Sequence, residues 1–153
     1  MFKPIPNSMK TINILLVEDN EGDILLTTEA FENTKVMNQL NVVRDGKEAI
    51  AFLNKEGNYS DVCEPDILLL DVNLPKKNGH EVLEYIKSDV RLKHIPVIML
   101  STSSSQADIL KSYCHHANCY ITKPVDADRL VNVIEQVQYF WISIAKLPSK
   151  ISC

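Results

Sequence analysis

The run Ile67–Leu70, ILLL, sets four apolar residues side by side, so a strand built from it is apolar on both faces. Such a strand belongs inside a sheet covered on both sides, the usual environment of parallel sheets. The run ends in Asp71, a residue costly to bury as an ion unless something pairs with it. Asn73 follows two positions later and Pro75 two after that. The fold must therefore supply two covering layers and a partner for a carboxylate at a strand end.

Similar short runs recur along the chain. INILLV at 12–17, QLNVV at 39–43, VIMLS at 97–101 and CYIT at 119–122 read as further strands. Helical patterns lie between them. EGDILLTTEAFENT carries Ile24, Leu25, Ala30 and Phe31 at positions that suit a helix. KEAIAFLNKEG places Ala49, Ile50 and Leu53 on one face and stops near Gly57. NGHEVLEYIKSD starts at Asn78 or Gly79, with Val82, Leu83 and Ile86 as its inward stripe. SSQADILKSYCHH has Ser104 or Ser105 available as N-cap. The last helix begins near Asp126 and runs until Pro148 stops it. Five alternations with short connections predict a doubly wound α/β domain, its parallel sheet covered by helices on both faces. At 153 residues the chain is read as one domain over 11–147, with a loose N-terminal arm at 1–10 and a short tail at 148–153.

Composition removes several classes of function. Apolar residues make up 45% of the chain, enough for a real core, so disorder is not expected. The formal charge of −4 argues against nonspecific nucleic-acid binding and against docking on an anionic membrane. No apolar stretch approaches the roughly 20 residues that span a bilayer. The opening MFKPIPNSMK has no apolar core of the kind a signal peptide needs. With no export signal, Cys63, Cys114, Cys119 and Cys153 are read as free thiols of a cytoplasmic protein. The segment CHHANC, 114–119, lacks a usual zinc spacing and reads as a helix end followed by a strand.

In open parallel sheets, ligands bind at the carboxyl ends of the strands. Glu18 and Asp19 follow the first strand, Asp71 ends the third, Ser101 and Thr102 close the fourth, and Lys123 and Pro124 follow the fifth. Carboxylates brought together repel one another, and their pKa values rise unless a cation intervenes. Hard oxygen ligands, few in number and leaving room for water, suit Mg²⁺. The chain has no P-loop, no dinucleotide fingerprint and no nucleophile elbow. There remains an aspartate beside a metal, with a hydroxyl and an ammonium nearby. Aspartate can attack phosphorus to give an aspartyl phosphate, and that transfer needs mainly positioning and neutralisation of the phosphoryl oxygens. Mg²⁺ and Lys123 are suitable cations, and Ser101 is a suitable hydrogen-bond donor.

At these residues the sequence resembles the receiver domains of bacterial two-component response regulators. The pair ED and the segments LLLDVNLPKKNG, MLSTS and YITKP fall in that family's order and spacing, over about residues 12–146. The resemblance implies a flavodoxin-like receiver with five strands in the order 2-1-3-4-5 and five helices. It implies that Asp71 is the phosphoacceptor, that Asp19 binds Mg²⁺ directly and Glu18 mainly through water, and that the Asn73 backbone carbonyl completes the ligands. It makes Ser101 the switch hydroxyl, Tyr120 the switch aromatic and Lys123 the contact to the phosphoryl group, with a cis Lys123–Pro124 bond. The acidic pair is Glu-Asp where many members have Asp-Asp, which keeps the direct ligand Asp19. LPKKNGHEVL, NCYITKPVD and FWISIAKLP look closer to the single-domain regulators similar to those of cyanobacterial phytochromes. Members of that branch accept phosphoryl groups from histidine kinases, often phytochromes, and tend to form homodimers. A phosphotransfer protein is the other donor the resemblance allows.

Along the last helix Leu130, Val133, Ile134 and Val137 form one stripe, and Tyr139, Phe140 and Trp141 then follow in succession. Adjacent helical residues lie about 100° apart, so three such aromatics cannot all face one core. They are candidates for a dimer interface through the fourth helix, fifth strand and fifth helix. Two rival functions remain on sequence grounds. A haloacid-dehalogenase-like phosphatase would need a second acid two residues after the nucleophile, where Asn73 stands. A phosphorylation-independent interaction module would carry the site residues as relics.

Overall fold

A computed structural model describes residues 11–35, 37–102, 105–123 and 126–139, without the side chains of 127, 131, 134 and 137–139. Its elements alternate as β1 (Ile12–Val17), α1 (Glu21–Glu32), β2 (Asn38–Val43), α2 (Gly46–Leu53), β3 (Ile67–Asp71), α3 (Gly79–Ser88), β4 (Val97–Ser101), α4 (Gln106–Cys114), β5 (Cys119–Thr122) and α5 (Ala127–Tyr139). The five strands form one sheet in the order β2-β1-β3-β4-β5, with every pair parallel. This is the doubly wound, flavodoxin-like order expected from the sequence.

The apolar run that opened the sequence reading is the centre of the sheet. β3 lies between β1 and β4, and all of Ile67–Asp71 is buried. Alternate residues face opposite layers. Leu68 and Leu70 pack with Phe52 of α2 and with Val82, Leu83 and Ile86 of α3. Ile67 and Leu69 pack with Ile24 and Phe31 of α1 and Leu130 of α5. Each fully buried side chain of this size contributes about 1.5–3 kcal/mol, so the two layers hold the central strand firmly.

The helices begin where the sequence supplies caps. Asn20, Asp45, Asn78 and Ser105 each accept a hydrogen bond from a first-turn backbone N–H. Asn78 and Glu81 form a reciprocal capping box, which fixes the start of α3 at Gly79. Of the two serines expected to cap α4, Ser105 does so. The segment 114–119 is the end of α4 followed by the start of β5, with His116 at φ 68° in the turn between them.

Three details depart from the sequence reading. In α1 Leu25 faces solvent and Thr27 is buried. Thr27 can go inside because its hydroxyl donates to the Asp23 carbonyl at 2.8 Å. In α2 Phe52 is buried where Ile50 was expected, because its ring meets that of Tyr59 with centroids 5.2 Å apart. That helix also ends at Leu53, short of Gly57, since Lys55 already turns to φ 55°. The arm at 1–10, the tail at 148–153, Ser104, Pro124 of the Lys123–Pro124 bond, Phe140 and Trp141, and the Tyr139 side chain lie outside what the structure describes.

α4 is attached differently from the other helices. Its one fully buried residue is Ser112, while Leu110 and Tyr113 are exposed. Among the described residues α4 adds no side chain to either buried apolar cluster.

Candidate functional site

The carboxyl ends of β1, β3, β4 and β5 converge on one edge of the sheet, and each carries its side chain there for a local reason. Glu18 continues the ladder beyond β1, its N–H donating to Val43 O at 3.0 Å, and the residue is 1% exposed. Asn20 N–H donates to Glu18 Oε1 at 3.2 Å, which turns the carboxylate toward the edge. Asp19 between them is exposed.

Asp71 is the last residue of β3. Val72 N–H donates to Leu100 O at 3.0 Å, and Gly79 N–H donates to Val72 O at 2.8 Å. The start of α3 is thus pressed against the strand end. A Cβ on Gly79 would lie 2.2 Å from Asp71 O, so no other residue fits there without a backbone shift. The loop between β3 and α3 is seated on the start of α2. Lys76, at φ 66°, places its ammonium 3.4 Å from Asp45 Oδ2, and a Cβ on Gly46 would strike Lys77 O. Asn73 N–H lies 3.3 Å from Asp71 Oδ1.

Lys123 follows β5 and is anchored by its N–H donating to Ser101 O at 2.6 Å. Its ammonium lies 2.5 Å from Glu18 Oε2, 3.0 Å from Asp23 Oδ2 and 3.5 Å from Asp71 Oδ2. The structure therefore brings Glu18, Asp71 and Lys123 together. Ser101 ends β4, completely buried, one residue beyond the Asp71–Leu100 register pair. Tyr120 sits half-buried on β5 against the apolar layer, and its N–H donates to the Tyr113 hydroxyl at 3.2 Å.

Burial pushes the Asp71 carboxyl up to about 7; Lys123 opposes this, while the charge of Glu18 and a hydrogen bond with it reinforce it. Lys123 alone does not hold Asp71 in the ordinary carboxylate range. Burial pulls the Lys123 ammonium down, but hydrogen bonds to Glu18 and Asp23 and the charge of Asp71 outweigh it, leaving its pKa raised. The acidic edge thus calls for more positive charge than the protein supplies. Glu18, Asp19 and Asp71 can each offer an oxygen within 4.8 Å of the others. Such hard oxygens, with one exposed member open to water, fit a divalent cation of the Mg²⁺ kind.

Two groups at or beside this edge escaped the sequence reading. Asp23 was read only as part of α1, although it lies one turn after the acidic pair and reaches Lys123. His80 was read only as part of α3, although its Nε2 lies 3.0 Å from Ser112 Oγ in the interior.

Known proteins resemble this chain over most of its length. The chain is 41% identical over 136 residues to the response regulator Rcp1 of Synechocystis sp., spanning 89% of this chain and 92% of that protein. The phosphorylated cyanobacterial phytochrome response regulator RcpA superimposes with a TM-score of 0.79 at 50% identity, over 92% of this chain and 100% of that one. The Mn²⁺-bound form of Rcp1 gives 0.77 at 40% identity, over 90% and 99%. A family model of the response regulator receiver domain matches residues 14–135. With both its sheet order and nearly its whole described length accounted for, the chain belongs to the response regulator receiver family.

Proposed function

We propose that the chain is a single-domain two-component response regulator that accepts a phosphoryl group on Asp71 and thereby switches what it binds. The observation that carries this reading is the position of Asp71: buried at the end of the central strand, with Lys123 3.5 Å away and Glu18 and Asp19 beside it. A carboxylate so placed gains no stability from its burial, and its use is as a nucleophile.

In the proposed step an Asp71 carboxylate oxygen attacks the phosphorus of a phosphorylated donor. A new O–P bond forms while the bond from phosphorus to the donor breaks, and the donor departs with that electron pair. For a phosphohistidine donor the leaving group is the imidazole. Lys123 orients one face of the phosphoryl group and offsets its charge. Ser101 donates to a phosphoryl oxygen from the end of β4. Glu18, Asp19, Asp71 and the Asn73 backbone carbonyl would hold Mg²⁺, which when bound supplies further neutralisation of the phosphoryl oxygens.

The donor in this reading is a histidine kinase of the phytochrome kind or a phosphotransfer protein, since the similar proteins RcpA and Rcp1 are response regulators and RcpA is described as a phytochrome regulator. The output is a changed surface at α4 and β5, with Ser101 and Tyr120 as the moving parts. Leu110 and Tyr113 expose apolar surface there, which suits a second copy of the chain docking through α4, β5 and α5. The reading places the protein in the cytoplasm as a signalling protein rather than an enzyme with a separate substrate. No helix among the described residues is long and apolar enough to cross a membrane.

The test is incubation with Mg²⁺ and acetyl phosphate, followed by intact-mass measurement. A gain of one phosphoryl group that is absent in Asp71→Asn is the expected result. No gain in the wild-type chain would leave a phosphorylation-independent interaction module as the better reading.

A further inference from the structure

Lys123 has three N–H donors, and the structure gives them three carboxylates. Two are within hydrogen-bond reach, Glu18 at 2.5 Å and Asp23 at 3.0 Å, while Asp71 is farther off at 3.5 Å. A phosphoryl group on Asp71 would set close to two negative charges, where the free carboxylate carries one, and three strong acceptor oxygens beside this ammonium. To turn more than its loosest donor toward them, Lys123 must release a carboxylate. Glu18 is poorly placed to leave, because its side chain is only 1% exposed and a released carboxylate would stay out of water. Asp23 is 39% exposed and can be solvated when released. Its backbone is fixed independently, with its N–H donating to the Asn20 cap and its carbonyl accepting from Thr27 Oγ. The side chain can therefore swing away without disturbing α1.

We propose that Asp23 is a displaceable counter-ion of Lys123, competing with the phosphoryl group for the ammonium and so setting how tightly the site retains it. Asp23 is a positioning residue, acting through Lys123 rather than on phosphorus. The proposal rests on Asp71 being the phosphoacceptor. It gives α1 a direct link to the state of the site, since the first turn of that helix gains a free carboxylate when Lys123 turns away.

The experiment titrates the full chain with beryllofluoride in saturating Mg²⁺ and follows the bound ¹⁹F signals. This phosphoryl mimic binds by reversible exchange of a water or fluoride on beryllium for the Asp71 oxygen, with no phosphoryl transfer from a donor. The titration therefore reads an equilibrium and not a transfer rate. Asp23→Asn and Asp23→Ala are expected to reach half-saturation at about three- to fivefold lower beryllofluoride, the range for a partly exposed ion pair. Asp23→Glu, which keeps the charge, should return the affinity toward wild type. Glu21→Gln is the control. Glu21 is also a first-turn acid of α1, but it pairs with Arg44 and not with Lys123, so its removal should leave the affinity unchanged. Unchanged or weaker binding in both Asp23 variants, or an equal gain in Glu21→Gln, overturns the proposal. Absence of any bound signal in the wild-type chain would instead overturn the reading of Asp71 on which it rests.

Discussion

His80 Nε2 lies 3.0 Å from Ser112 Oγ, and both residues are buried, 6% and 0% exposed. This pair ties α3 to α4, the helix that among the described residues lends no side chain to the apolar clusters. Burial lowers the His80 pKa, and the charges of Lys111 and His115 lower it further, while Asp108 works the other way. A histidine whose folded pKa is depressed binds its proton more readily in the unfolded chain. Its contribution to stability is therefore intact above the unfolded value of about 6.5 and declines as pH falls toward the folded value. Urea unfolding at pH 7.5 and 5.5 should show a larger loss of stability for wild type than for His80→Gln. Equal losses would mean that this histidine does not titrate as its burial requires.

The acidic edge should make the metal-free protein less stable than its neutral variant. Asp71 and Glu18 are both buried, and Lys123 does not bring Asp71 back to the ordinary range. Asp71→Asn removes one buried charge and keeps the shape. In chelator at pH 8 it should raise unfolding stability by about 1–3 kcal/mol, the usual scale for an uncompensated buried polar group. Adding Mg²⁺ should then stabilise wild type more than the variant, because ligand binding to the folded state adds RT ln(1 + [L]/Kd). Denaturant titrations with and without the ion measure both effects, and a variant less stable than wild type in chelator would contradict the charge argument.

Two glycines separate crowding from backbone strain. A Cβ on Gly79 would lie 2.2 Å from Asp71 O and 2.7 Å from Val72 Cα, so Gly79→Ala must push α3 away from the strand end. Gly57 has φ +57° with nothing within 4 Å, so Gly57→Ala meets strain alone. The second should cost about 1 kcal/mol and leave the site intact. The first should cost about 1–3 kcal/mol and also reduce phosphorylation by acetyl phosphate, because the Asp71 backbone moves with it. Comparable losses of stability with unchanged phosphorylation in both variants would show that Gly79 does not position the strand end.

Much of this architecture is legible in the sequence, because local chemistry and the final fold agree. Ile67–Leu70 reads as a strand covered on both faces, and Asn78 and Ser105 are among the residues the sequence offers where helices start. The strand-end carboxylates and Lys123 follow from the rule that ligands gather at the carboxyl edge of a parallel sheet. What the sequence hides depends on distance across the fold. Asp23 meets Lys123 from 100 positions away, and His80 meets Ser112 from 32, with neither pair marked by any local pattern. Thr27 goes inside while Leu25 faces solvent for a related reason: the hydroxyl of Thr27 is satisfied within its own helix, which lets it be buried.

Ser101 is where the proposed switch can be separated from the chemistry. It is completely buried at the end of β4, next to the strand that carries Asp71, and a hydroxyl there has no role in filling the apolar layers. Downstream of it, α4 is tied by the His80–Ser112 pair and by the Tyr120 N–H to Tyr113 hydroxyl bond, and among the described residues it lends no side chain to the apolar clusters, while Tyr120 is half-buried on β5. A helix so attached can shift for a few kcal/mol or less, which is the size of ordinary coupling energies of about 1–3 kcal/mol. Phosphorylation of the wild-type chain should therefore change amide hydrogen exchange along Gln106–Cys114 and at Tyr120. Ser101→Ala should still gain one phosphoryl group from acetyl phosphate by mass, more slowly, because Asp71 and Lys123 remain. Its exchange pattern in α4 and β5 should nevertheless stay that of the unphosphorylated protein. A phosphorylated Ser101→Ala chain whose α4 changed as fully as in wild type would place the switch somewhere other than this hydroxyl.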